Sequence, residues 1–236
     1  MLKKTKEFLK RATAAVLIAC AIWATPHLKD YYFRNKVGDS VVKIIGVTGS
    51  GSGFHVEADS GEIYILTNAH VCAAADKKDQ VYIKKDNRLI PRKIIAVYPK
   101  HDLCLIEKLP SQKKGLKLAS FVDIGEDVVL IGHPKGRPLT LSKGEVIYST
   151  VIQLLTNKPE QECEGEYVPP ILFFAGGCVE DFQAHGISTI AFPGNSGSPV
   201  VNKYGYLVGV LFAGSDQPTD SYMVPLKYIK DFLKDY

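Results

Sequence analysis

From about residue 38 onward the chain is a succession of short apolar runs cut by turn residues, and this pattern narrows its possible folds more than any other feature. Val41–Val47, Gly53–Val56, Ile63–Thr67, Val81–Lys84, Ile94–Tyr98 and Leu103–Ile106 are rich in Val, Ile and Tyr. Branched and aromatic side chains of this kind suit a pleated surface. Turn chemistry such as Asp59-Ser60-Gly61 and Lys85-Asp86-Asn87 separates the runs. A second set follows at Val128–Ile131, Glu145–Thr150, Ile171–Phe174, Ser188–Ala191, Val200–Val201, Leu207–Phe212 and Tyr222–Val224. About a dozen short strands with little helix between them predict an all-β chain of antiparallel barrels or sandwiches, not βαβ units. One helix closes the chain: Pro225 suits its first turn, and Leu226, Ile229, Phe232, Leu233 and Tyr236 recur at helical spacing. That stripe is expected to pack against its own domain. Only 11 residues follow Pro225, too few for an additional peptide-binding domain after it.

The N-terminus has a different design. Met1–Arg11 is basic and Ala12–Ala24 almost wholly apolar, with Pro26 just beyond. This is the layout of an export signal or a short signal-anchor, so residues 1–28 are expected to be one or the other and 29–37 a linker. Leu17-Ile18-Ala19-Cys20 also resembles a lipoprotein box, but the apolar run continues past Cys20. The basic tip would stay in the cytoplasm and the body be exported, to a periplasmic or extracellular face. The formal charge of +4 belongs to this segment: Lys3, Lys4, Lys6, Lys10 and Arg11 stand against Glu7, so 24 basic and 24 acidic residues remain in the body. A neutral body excludes nucleic acid as an expected partner, since phosphate binding wants a basic surface. Of the five cysteines none forms a CxxC or zinc-like cluster, so no metal is expected. Cys104 reads as a small buried residue, and Cys163 and Cys178, flanking a loop, could pair in an oxidising compartment. The acidic segment Thr156–Pro170, with four Glu, reads as a loop that either borders the active site or is a solvated insertion.

Three residues carry the chemistry. Ser196 lies in Pro193-Gly-Asn-Ser-Gly-Ser-Pro199, where two glycines permit a tight loop with inward-pointing N–H groups. His70 ends the run Ile63-Tyr-Ile-Leu-Thr-Asn-Ala-His70, and Asp102 opens the apolar run Leu103-Cys-Leu-Ile106. Buried imidazoles and carboxylates need hydrogen-bonding partners. A serine hydroxyl becomes a nucleophile when an imidazole takes its proton, and a buried carboxylate holds that imidazole in the useful tautomer. The order His70, Asp102, Ser196 puts two members in the first strand set and the nucleophile in the second, so a site between two barrels would unite them. His101, His133 and His185 read as structural or surface groups.

Thr67-Asn-Ala-His70, Asp102-Leu-Cys-Leu and Gly194-Asn-Ser-Gly-Ser-Pro199 together resemble the trypsin-like, chymotrypsin-fold serine proteases. Gly51-Ser-Gly-Phe54 and Val200-Val-Asn-Lys-Tyr-Gly-Tyr-Leu-Val-Gly209 are similar to the HtrA/Deg-like and glutamyl-endopeptidase branch, and the resemblance spans about residues 38–225. It implies two six-stranded antiparallel barrels, at about 38–122 and 123–225, a helix over 226–236, endopeptidase activity and no cofactor. It also carries an oxyanion hole to the backbone N–H groups of Gly194 and Ser196. Trypsin has an Asp before its serine that pairs with a newly cut N-terminus; the neutral Asn195 cannot, so activation by such cleavage is not expected. By position, Ile190, Ala191 and Phe192 should form one wall of the substrate pocket and Leu211, Phe212, Ala213 and Gly214 the other. Glutamyl endopeptidases place a His at Leu211 and trypsin an Asp near Ile190. With neither charge present, cleavage after an uncharged, aliphatic residue is expected. The expected partners are an extended peptide or unfolded protein and, through the N-terminal segment, a membrane; nothing in the chain specifies an oligomeric state. A catalytically silent, protease-like binding module and an esterase are the alternatives.

Overall fold

The computed structural model describes residues 30–156, 160–169, 177–214 and 220–236. The signal or anchor expected over 1–28 and the strand expected at Ile171–Phe174 lie outside them. Before residue 40 the chain forms a helical turn at Phe33–Val37, and no described helix is long and apolar enough to cross a membrane.

Ser40–Tyr236 folds as one unit built of two sheets. The first contains β1 (Val41–Ile45), β2 (Ser50–Glu57), β3 (Ile63–Thr67), β4 (Gln80–Lys85), β5 (Arg88–Tyr98) and β6 (Leu103–Glu107), with the short α1 (Ala69–Cys72) after β3. They close a barrel in the order β1-β2-β3-β6-β5-β4, with β4 returning to β1 at Lys43↔Lys84. Period-two alternation drives the closure: Val42 and Ile44, Val81 and Ile83, Cys104 and Ile106 all point into one core. The second sheet contains β7 (Asp127–Gly132), β8 (Thr140–Thr156), β9 (Glu166–Val168), β10 (Gly177–Ile187), β11 (Pro199–Asn202), β12 (Leu207–Gly214) and β13 (Ser221–Pro225). Its order is β13-β12-β11-β7-β8-β10-β9, and a β10–β13 pairing at His185↔Met223 turns it back on itself, leaving β9 outside. Val128, Leu130, Val146, Val200, Val208, Leu211 and Met223 fill its core.

Two expectations are corrected by the structure. Ser188–Ala191 is not a strand: β10 ends at Ile187, and the Thr189 N–H turns back to the Ile187 carbonyl instead of joining a ladder. β10 itself was not foreseen, because Glu180, Asp181, Gln183 and His185 make the segment read as polar; a continuous ladder with β8 from Cys178↔Thr156 to Gly186↔Tyr148 supplies its order. The last helix, α2 (Leu226–Leu233), follows Pro225, which stands just outside it in extended conformation, and it buries Leu226, Ile229, Phe232 and Leu233. Cys163 and Cys178 are joined in a disulfide. Cys104 is buried but is also cross-linked, to Cys72.

Candidate active site

The β3–β6 pairing sets the first half of the site. Thr67↔Cys104 are register partners, so the segments that continue from β3 and lead into β6 emerge side by side. The chain leaves β3 through the extended Asn68 into α1, which carries His70. It enters β6 from a turn at Pro99–His101, capped by Asp102, which is left-handed at φ 50°. Three hydrogen bonds join these segments. Asn68 Nδ2 donates to the Asp102 carbonyl at 3.0 Å. The His70 backbone N–H donates to Asp102 Oδ1 at 2.9 Å. His70 Nδ1 lies 2.7 Å from Asp102 Oδ2. An ionised carboxylate only accepts, so Nδ1 carries the proton and Nε2 is left as the basic nitrogen. The Asp102 side chain is 15% exposed and that of His70 48% exposed, so the carboxylate is sheltered and the imidazole opens outward. The Cys72–Cys104 disulfide crosses the same gap, two residues beyond His70 and two beyond Asp102.

The serine loop comes from the second sheet and is anchored on the first. The Ser52 N–H donates to the Ser196 carbonyl at 2.8 Å. Gly51 has no room for a side chain: a Cβ there would sit 2.7 Å from Val71 and 3.1 Å from the Ser196 carbonyl. The residue next to His70 and the backbone of Ser196 thus flank one glycine. Phe192-Pro193-Gly194-Asn195 forms a turn closed by Asn195 N–H to the Phe192 carbonyl at 2.9 Å, with Gly194 at φ +92°, the arrangement of a type II turn. The Pro193 carbonyl accepts from Lys135 N–H at 2.6 Å, and the Asn195 carbonyl accepts from Ser198 N–H at 2.9 Å. Gly197 N–H donates to the Leu211 carbonyl at 2.8 Å. Ser52 Oγ donates to the Gly194 carbonyl at 2.8 Å. Among the described residues, Gly194 and Ser196 are the two positions of this turn whose N–H groups have no internal acceptor. Native backbone groups rarely stay unpaired, and two adjacent donors of this kind could receive an oxygen from outside the chain.

The predicted pocket residues divide. Ile190 and Phe192 are 49% and 43% exposed, and Ala213 lines the cleft beside His70 and Asp102. The Gly214 backbone faces the Ala191 carbonyl, across a gap in which a Cβ would lie 3.9 Å from it. Phe212 also lines that cleft, its ring largely buried between Phe182 and Tyr222. Leu211 is buried in the second core and is not among the described residues that line the cleft; a register shift between Leu211 and Ala213 separates it from the more exposed end of β12. The cleft holds about 1450 Å³, and the acidic segment supplies Glu164 and Glu166 to its rim. The other histidines make contacts of their own. His101 stacks on Tyr228 at 3.6 Å between ring centroids, and His133 Nδ1 lies 3.1 Å from the Arg137 carbonyl. Burial lowers the pKa of His101, His133 and His185. Ser52, Asn68 and Lys135 escaped the reading of the sequence; the signal for the first two was adjacency to glycines and to His70.

Fold and site define a class, the two-barrel peptidases of chymotrypsin type. The chain belongs to the trypsin-like peptidase domain family, whose description matches residues 51–210. It is similar to the "Serine protease HtrA-like" protein of Staphylococcus aureus strain USA300, with 26% identity over 192 residues, 78% of this chain and 23% of that protein. The chain therefore spans about a quarter of the length of the curated relatives it matches. Among solved structures it resembles the Rv3671c protease of M. tuberculosis in its inactive form, at 21% identity and TM-score 0.64 over 89% of this chain and 95% of that one. It also resembles the HtrA-type protease AlgW with tripeptide, at 21% identity and TM-score 0.58 over 83% and 59%. At these identities the structural likeness speaks to the fold.

Proposed function

We propose that the chain is a serine endopeptidase that cleaves extended peptides through His70, Asp102 and Ser196. The observation that carries this reading is the grip of Asp102 on His70, with one carboxylate oxygen on the backbone N–H at 2.9 Å and the other on Nδ1 at 2.7 Å. Held this way, the imidazole presents Nε2 as the base for the Ser196 hydroxyl. Ser196 Oγ attacks the scissile carbonyl, Nε2 takes its proton, and the Asp102 carboxylate stabilises the imidazolium. The carbonyl oxygen, now negative, is received by the N–H groups of Gly194 and Ser196. His70 then returns the proton to the leaving amine, and water hydrolyses the acyl-enzyme by the same route.

The substrate strand has a natural berth. β11 ends its pairing with β12 at Val210, so Phe212–Gly214 have β13 on one side and an open side toward the cleft. An extended peptide adding there is recognised through its backbone, which suits unfolded or peptide substrates. Ile190, Ala191, Phe192, Ala213 and Gly214 carry no charge, which supports cleavage after an uncharged residue. Two disulfides among the described residues suit an oxidising, exported compartment.

The test is labelling of the full chain with a fluorophosphonate probe, alongside Ser196→Ala. Wild type should label and the variant should not, and a peptide library should report cleavage after uncharged residues. Equal labelling of both, or of neither, would favour a binding module. A preference for Arg, Lys or Glu would remove the pocket assignment alone.

A further inference from the structure

We infer that Ser52 is a positioning residue for the oxyanion site and that, with the loop His133–Arg137, it holds the serine turn in its receptive orientation. This rests on the reading of Ser196 as nucleophile. The direction of the Gly194 N–H is set by the peptide plane it shares with the Pro193 carbonyl, because a trans peptide points its C=O and N–H to opposite sides. Gly194 stands at φ +92°, and glycine resists rotation of that plane less than any other residue. If the plane turned over, the Pro193 carbonyl would face the site and repel the oxygen the site is meant to receive.

Two contacts oppose that flip. Lys135 N–H occupies the Pro193 carbonyl from outside at 2.6 Å. Ser52 Oγ holds the next peptide, donating to the Gly194 carbonyl at 2.8 Å while accepting from His133 N–H at 3.0 Å. The Ser52 hydroxyl thus joins the serine turn to the start of the loop that carries Lys135, and Ser52 is fully buried, so water does not replace it. The first barrel also grips the far side of the loop, where Lys43 Nζ donates to the Gly136 carbonyl at 2.9 Å. The Lys135 ammonium lies 4.7 Å from the Phe192 ring centroid, over the residue that begins the turn. Asn195 is neutral and offers no ion pair for this purpose; hydrogen bonds from β1, β2 and the loop after β7 do the holding.

The experiment compares wild type, Ser52→Ala and Lys43→Met in the full chain, with reactive sites counted by fluorophosphonate titration. Ser52→Ala should lower kcat per titrated site by about tenfold or more, since losing one oxyanion donor altogether costs about 100-fold or more. KM should stay within about twofold, and affinity for a peptide boronic acid, which forms a tetrahedral adduct, should fall by the same factor as kcat/KM. An unchanged kcat, or a loss carried by KM alone, overturns the proposal. Should Ser52→Ala fail to fold, Lys43→Met decides by the same readouts: a fall in kcat of about threefold or more at constant KM supports it and an unchanged kcat overturns it. A wild-type chain that does not label overturns the nucleophile reading and this one with it. A labelled wild type with an insensitive Ser52→Ala overturns this one alone.

Discussion

Asn195, the neutral residue before Ser196, is closely enclosed. It is 4% exposed, and its Oδ1 has no hydrogen-bond partner among the described residues. A Cβ on Gly132 would lie 3.0 Å from that oxygen, so there is little space around it. A carboxylate placed there would be a buried charge without compensation. Asn195→Asp is therefore expected to destabilise the fold by about 3 kcal/mol or more, read as a lower urea midpoint in a Ser196→Ala background that cannot digest itself. An unchanged midpoint would mean that a cation reaches this position. At this scale His70, Asp102 and Ser196 stood out because the chemistry of a nucleophile, a base and a carboxylate is carried by residue type. Ser52 and Asn68 did not, because serine and asparagine are common in turns and their partners lie 142 and 34 residues away in the chain. Leu211 was assigned to the pocket by position along the chain, and packing with Val208 and Met223 in the second core buries it instead, just before a register shift in β12.

Among the elements, the ends of β3 and β6 matter most, since they bring His70 and Asp102 together. The Cys72–Cys104 disulfide clamps these ends and closes a separation of 32 residues. Loop-closure entropy of that length is worth about 4 kcal/mol. The double variant Cys72→Ala/Cys104→Ala should lose stability of that order and, compared at equal folded fraction, should also lose peptidase activity. Cys163→Ala/Cys178→Ala should leave the folded enzyme's kcat within about twofold, because that bridge joins the segment before β9 to β10 and touches neither His70 nor Asp102. Equal kcat in the two double variants would refute the clamp. α2 contributes from the opposite side: Tyr228 stacks on His101, and Phe232 packs on Tyr98 at 5.5 Å between centroids, both on the turn that presents Asp102. Most strands were legible from β-branched runs and turn residues. β10 was not, because its polar positions face outward from a ladder that only β8 provides.

At the scale of the whole molecule, one contribution to the pH dependence of stability comes from His55, which is fully buried in the first barrel. Leu109 N–H donates to Nε2 at 3.3 Å, so Nδ1 carries the proton and donates to the Ser40 carbonyl at 3.1 Å. The ring thereby ties the start of β1 to the segment after β6. Burial lowers its pKa from 6.5 to about 4, with Lys85 and Lys108 acting in the same direction and the Ser40 bond opposing them. The unfolded chain binds this proton more readily than the folded one between those values. The contribution of His55 to stability is therefore full above about pH 6.5 and is lost as pH falls to about 4, by roughly 3 kcal/mol. Urea midpoints in the Ser196→Ala background should fall across that window, and His55→Gln, which keeps a donor and an acceptor but does not titrate, should make the decline shallower. A decline as steep in His55→Gln would assign it to other groups. The amino-acid sequence alone determined the all-β class and most of the run of strands, and it singled out His70, Asp102 and Ser196 as the proposed reactive side chains, because periodicity and functional-group chemistry are local properties. The tertiary structure decided which peptide faces are occupied in the serine turn, which cysteines meet, and which residues of β12 face the cleft. Those depend on contacts between segments far apart in the chain, whose meeting is set by sheet register and by the packing of two barrels.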